Sequence, residues 1–197
     1  MVTDSMSYKP VFLRMLALAF MLMMAACQPA PATPADKETE RYAVYSAVIA
    51  DVGGLPVLND RVGGLSWKDS DYDRVHDGIE QVDPLIWDDL RTANDHTELL
   101  QTRFDPAIGE VSLANSADLG IVFSKNKPVE AWEIFHQKYP DKCLLNVSNI
   151  GFSDALDKAV LYTSHVCDEK SGSGKILFLV RKNGEWTVQG KVVLWGE

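Results

Sequence analysis

Positive charge is scarce in this chain: 19 lysines and arginines stand against 28 aspartates and glutamates, a net charge of −9 with the four histidines neutral. Such a chain lacks the basic stripe that releases counterions from nucleic acid and the polybasic patch that binds flat on anionic lipid, so no nucleic-acid partner is expected. Cysteine is sparse as well, at three residues, which excludes a disulfide-dense scaffold. Nowhere do about 20 apolar residues run together, the length that a membrane-spanning helix requires. Catalytic signatures are also missing: there is no G-x-S-x-G, no H-E-x-x-H and no complete G-x-x-x-x-G-K-[ST]. His76, His96, His136 and His165 are scattered without a local acid and nucleophile. A catalytic triad assembled in space, and with it an envelope hydrolase, stays as the alternative reading.

Of what the chain does contain, Cys27 is the most informative residue. Lys9 and Arg14 precede roughly a dozen apolar residues from Met15, and Met24-Ala25-Ala26-Cys27 closes that run. A basic start, a short apolar stretch and a small-residue cleavage site read as an export signal of the lipoprotein type, with Cys27 the first mature residue and the carrier of acyl chains. The other reading is an uncleaved anchor helix, and the native start is either Met1 or Met6. The expected organisation is a signal peptide over 1–26, a lipidated cysteine with a Pro/Ala tether over 27–35, and one domain over 36–197. Each buried methylene contributes about 0.8 kcal/mol, so a multiply acylated terminus holds stably to a membrane. Gln28 after the cysteine, rather than Asp, makes the outer membrane facing the periplasm the expected address in a two-membrane cell. Removal of 1–26 takes away Lys9, Arg14 and Asp4 and leaves 17 basic against 27 acidic side chains. The expected partners are the membrane, through the anchor, and a basic protein, peptide or cation at the acidic surface.

Acylation of Cys27 leaves two thiols, Cys143 and Cys167, for an oxidising compartment. Antiparallel strands over 143–149 and 159–167 around a loop centred on Ala155 place both cysteines 12 residues from the centre and opposite one another. A bridge there stabilises by roughly 3 kcal/mol through chain entropy. The alternative is two buried free thiols. His165 beside Cys167 invites a metal reading, without a third ligand in evidence.

Apolar periodicity predicts an amphipathic helix over 35–52, carried by Tyr42, Tyr45, Ile49 and Val52 and ended by Gly53 and Gly54. A short strand is expected over 55–62 and a helix after the Asp83-Pro84 opening, with Leu99, Leu100 and Phe104 extending the helical character. Further strands are expected at 110–114 and 119–123, then a third helix from Pro128 to Pro140. Four strands follow over 144–149, 159–166, 176–182 and 185–195, the last two joined through Asn183-Gly184. The fold class is therefore α+β: a four- to five-stranded antiparallel sheet, built on a C-terminal meander, with about three helices covering one face.

Asp69, Asp71, Asp73, Asp77 and Glu80 fall at positions 1, 3, 5, 9 and 12 of a twelve-residue calcium loop, an oxygen-rich spacing that suits Ca2+. Arg74 occupies the place of the turn glycine, so a solvated acidic loop is the competing reading. Ser171-Gly172-Ser173-Gly174-Lys175 reads as a flexible hairpin loop rather than a phosphate cradle. Trp132, Trp186 and Trp195, with Phe135, Tyr139 and Tyr162, either pack the core or line a cleft between helix and sheet. Trp67 and Trp87 flank the acidic stretch, an aromatic and anionic pairing suited to a cation if both are exposed.

From Trp132 onward the order W-x-x-F, Tyr139-Pro140, Gly151-Phe152, Ala159-x-x-Tyr162, Cys167 and Lys182-x-Gly184-x-Trp186-x-Val188 resembles a group of uncharacterised bacterial secreted proteins and lipoproteins. The stretch from Val44 to Ile49 resembles that group's opening helix. The resemblance covers most of 42–195 and implies a shared fold without an assigned chemistry. The chain departs from the group near Cys167, where a second cysteine is expected and Asp168-Glu169-Lys170-Ser171 stands instead, and Cys143 takes a place where glycine is usual. Both departures fit a bridge that has moved from a local loop to neighbouring strands.

Overall fold

The computed structural model describes residues 34–65 and 69–196 of the 197-residue chain, and these belong to one compact unit, Ala32–Glu197. The stretch expected to be a signal peptide, Cys27 and Trp67 lie outside the described residues.

Helix α1, Pro34–Val52, starts two residues inside the stretch expected to be tether and ends where Gly53 and Gly54 adopt positive φ. Its apolar stripe of Tyr42, Tyr45, Val48 and Ile49 is buried. The single strand expected at 55–62 is two, β1 Val57–Asn59 and β2 Arg61–Gly63, which enter different sheets. Helix α2, Asp69–Gly78, occupies the acidic stretch, and α3, Pro84–Ala93, follows with the Asp83 carboxylate accepting from the Ile86 N–H at 3.0 Å. Then come β3 Thr97–Leu99, a 3-10 turn at Pro106–Ile108, β4 Ser112–Ala114, α4 Ser116–Lys125 and α5 Pro128–Lys138. The chain closes with β5 Leu144–Val147, β6 Gly151–Phe152, β7 Lys158–Asp168, β8 Ser171–Lys182 and β9 Glu185–Gly196.

The main sheet has seven strands in the order β4-β1-β5-β7-β8-β9, with β6 also paired to β7. The antiparallel meander β5-β7-β8-β9 is as expected, and Asn183 and Gly184, both at positive φ, make its last turn. The sheet is nevertheless mixed, because β1 runs parallel to both β4 and β5, and there are five α-helices among the described residues rather than three. A separate antiparallel ribbon joins β2 to β3, so Thr97–Leu99 is strand where helical character was expected.

Helices cover both faces of the sheet, not one. Alternate residues divide the strands cleanly: Ala159, Leu161, Leu177 and Leu179 pack with α1, whereas Val160, Ile176 and Phe178 pack with Val75 of α2, Ile79 just beyond it, and Ile86, Trp87 and Leu90 of α3. Farther along, Trp132 and Phe135 of α5, with Leu119 and Phe123 of α4, cover Val57, Ala114 and Leu144. The cause is written in β7 and β8, whose runs Ala159-Val160-Leu161 and Ile176-Leu177-Phe178-Leu179-Val180 are apolar at consecutive positions, as in strands buried on both sides.

Two further expectations are corrected. Residues 119–123 are helical because Asn115 caps α4, accepting from the Ala117 and Asp118 N–H groups at 3.0 Å, and Leu119 and Phe123 share a face at four-residue spacing. The Ser171 to Lys175 stretch is paired strand in β8, the turn having moved back to Glu169-Lys170.

Candidate functional site

Cys143 and Cys167 are joined by a disulfide with a Cα–Cα distance of 4.2 Å. The register Leu144↔Val166, Leu145↔His165 extends directly to this pair, so the bridge and the strand alignment inferred from the cysteine spacing agree. The calcium loop is not formed. Tyr72, Val75, Ile79 and Val82 recur at spacings of three and four, and the burial of Val75, Ile79 and Val82 draws the segment into α2 and the link that follows it. A loop that must wrap one ion cannot coexist with this helix. Asp73, Asp77 and Glu80 are exposed and Asp71 is half-buried.

The aromatic residues do not share a cleft. Trp132, Phe135 and Tyr139 belong to the α5 cluster, Trp186 lies on the α1 face beside Phe152, and Trp195 donates from Nε1 to the Tyr162 hydroxyl at 2.9 Å. Trp87 is buried beside Tyr72, with ring centroids 5.7 Å apart, rather than exposed for a cation.

The most elaborated polar site is one that sequence reasoning missed. A concavity of about 600 Å³ lies between α1, α3, the β2–β3 ribbon and the turn from β5 to β6, lined by Lys37, Glu38, Arg41, Asp89, Thr92, His96, Glu98, Asn149 and Phe152 among others. At its base is Arg41, whose side chain is only 13% exposed although it lies one helical turn before Tyr45 on the buried stripe. Its Nη1 reaches Glu38 at 3.3 Å and also bonds Glu98, while Nε and Nη2 are buried without a partner at full hydrogen-bond geometry, the Tyr45 hydroxyl being the polar group that interacts with the guanidinium. The guanidinium also stands 5.8 Å from the Tyr45 ring and 5.9 Å from the Tyr42 ring, within cation–π range.

Ion pairs continue around the wall. Lys37 donates to Asp89 at 3.0 Å, Arg103 approaches Glu38 at 3.5 Å, and His96 Nε2 lies 3.0 Å from Glu98. Partial burial raises the Glu98 carboxyl pKa, but the hydrogen bond and charge of Arg41, then those of His96, outweigh it and hold the pKa below its ordinary value. Burial pushes the Tyr45 hydroxyl well up, so it stays a neutral donor to the Ser148 carbonyl at 2.9 Å.

A buried amide knot fixes the wall. Asn94 Nδ2 donates to the carbonyls of Leu90 and Asn149, and the Asn149 N–H donates back to Asn94 Oδ1 at 3.0 Å. Asn149 Nδ2 donates to the Ala93 carbonyl at 2.7 Å. Gly63, at φ +85°, passes so near this knot that a Cβ would lie 2.1 Å from the His96 carbonyl oxygen. The pocket's lining comes from three separated segments, and the one signal in the sequence is Arg41 itself, a cation on an apolar helical stripe.

A second, more open concavity of about 770 Å³ runs along α5, between Val129, Trp132, Glu133 and His136 and the β7–β8 turn at Asp168, Glu169 and Lys170. There His136 Nε2 bonds the Cys167 carbonyl at 2.9 Å.

No family model, curated protein or solved structure matches this chain. No helix among the described residues is long and apolar enough to cross a membrane.

Proposed function

We propose that this chain is a lipid-anchored envelope protein of the kind its sequence resembles, acting as a binding module rather than a hydrolase, with the Arg41 pocket as its ligand site. The observation that carries the reading is the buried guanidinium with an unsatisfied Nε–Nη2 edge, set in a pocket of small-molecule size. Released from Glu38 and Glu98, the guanidinium can turn two parallel N–H groups toward the pocket and grip two oxygens of a carboxylate or similar oxyanion. Glu38, Asp89 and Glu98 supply acceptors for a cationic group a few ångströms away. Together they suit a small zwitterionic ligand, such as a short peptide with free ends, which enters by exchanging with the wall's own ion pairs. This deepens the expectation of a basic peptide or cation as partner.

The chemistry of the site argues against acid–base catalysis. Against the effect of partial burial, the Arg41 guanidinium holds the Glu98 carboxyl below its ordinary range, which suits Glu98 to ion pairing rather than to proton donation. His96 pairs with Glu98 rather than with a hydroxyl or thiol.

Two measurements test the proposal. A thermal-shift screen of free-ended dipeptides should find stabilising compounds, since a ligand at 100 times its Kd adds about 2.7 kcal/mol. Their effect should vanish on blocking either terminus or in Arg41→Met, and a screen without hits, or hits unaffected by Arg41→Met, overturns the site. Metabolic palmitate labelling should mark the protein and be lost in Cys27→Ser; an unlabelled wild type removes the anchor.

A further inference from the structure

The disulfide has a neighbour that neither the fold nor the pocket requires. His165 lies two residues before Cys167 on β7, just ahead of the bulge between Val166 and Asp168, and Cys143 meets Cys167 across the β5–β7 pairing. One ligating atom from each of the three residues lies within 4.8 Å of the others, and all three are half-buried. Lys175 is the charged group that bears on His165, entering from β8, where it pairs with Thr163.

We propose that Cys143, Cys167 and His165 form a redox-gated site for a thiolate-preferring metal ion, Zn2+ or Cu+, closed while the disulfide is intact and opened by a dithiol reductant. Two thiolates and an imidazole are the donors that such ions select over Ca2+ or Mg2+, and three protein ligands leave a fourth position for water. The opening step balances. One thiolate of the dithiol attacks a protein sulfur, the S–S bond breaks, and the second thiolate resolves the mixed disulfide. The reductant leaves oxidised, and the chain has gained two electrons and two protons as two thiols. The metal ion then takes the place of both thiol protons, which pass to solvent, and His165 adds its lone pair. The strand pairing holds all three donors together before any ion arrives.

The test uses the full chain in detergent. Free thiols are alkylated first with the disulfide intact, so that Cys27 cannot contribute. The protein is then reduced, freed of reductant under anaerobic conditions and dialysed against Zn2+, with Co2+ as a spectroscopic probe. The reduced chain should retain about one Zn2+ and show a thiolate-to-cobalt charge-transfer band, and the oxidised chain should do neither. His165→Ala should weaken binding by at least about tenfold with both thiols still titratable. If that variant melts early, His165→Gln provides the same comparison with the ring's volume largely kept. Zn2+ retention equal in reduced and oxidised chains, or affinity unchanged in both His165 variants, overturns the proposal.

Discussion

Breaking the Cys143–Cys167 bridge is the perturbation whose size the structure fixes best. The cysteines are 24 residues apart, and closing a loop of that length removes chain entropy from the unfolded state worth about 3.5 kcal/mol at 25 °C. The native state should change little on reduction, because Leu145 and Val147 of β5 and Leu161 of β7 remain buried in the α1 cluster whether or not the sulfurs are joined. In a domain of this size each kcal/mol moves the melting temperature by about 2–4 °C, so the expected fall is about 7–14 °C. The assay is thermal unfolding of oxidised protein, reduced protein and Cys143→Ser/Cys167→Ser, with a chelator present so that no metal ion restores the link. Far-ultraviolet circular dichroism should show the same strand and helix content in all three below the transition. A fall of less than about 2 °C refutes the entropic reasoning, and loss of structure at room temperature refutes the claim that packing holds the register unaided.

Other consequences concern the pocket and its supports. Because the Glu98 pKa is depressed in the fold, its contribution to stability is present above the unfolded value of about 4.3 and is lost as pH falls below that value toward the folded one. Glu98→Gln should therefore be less stable than wild type at pH 7, with the gap closing in denaturant titrations toward pH 3; a gap that persists in acid contradicts the Arg41 pairing. With its side chain 38% exposed, Glu98 is partly screened by solvent and the gap should be modest. Gly151→Ala should be strongly destabilising, since a Cβ there meets the Ile86 carbonyl oxygen at 2.3 Å and the Leu90 nitrogen at 2.6 Å, both backbone atoms of α3. Overpacking of this kind costs about 1–3 kcal/mol, and a variant within about 0.5 kcal/mol of wild type in urea would show that α3 does not lie so close to β6.

The parts of the fold that were legible are those whose signals are local. Asn183-Gly184 sets a hairpin, Asp83-Pro84 opens a helix, and two cysteines equidistant from Ala155 fix a register. What was not legible depends on partners far along the chain. The parallel strands β1 and β4 are three residues each and become strands only by pairing with β5 and with one another. The acidic segment mimicked a calcium loop because every second residue from Asp69 to Asp73 is an aspartate, yet burial of Val75 and Ile79 decided it as helix. Residues 119–123 are apolar at alternate positions as well as at four-residue spacing, and the Asn115 cap selected between the two. The pocket was hidden for the same reason. Arg41, Asp89, His96, Glu98 and Asn149 converge only once α1 and α3 have packed on opposite faces of the sheet and the Asn94–Asn149 knot has drawn the β2–β3 ribbon inward.

The most direct test of the account is backbone amide shift mapping of the protein on addition of a free-ended dipeptide selected by the thermal screen. The account predicts perturbations concentrated at 37–45, 89–98 and 148–152, the three segments that build the Arg41 pocket. Perturbations centred instead on Trp132, Glu133, His136 and Asp168 would place the ligand in the groove along α5, and a spectrum unchanged at saturating dipeptide would leave the Arg41 pocket without the role assigned to it.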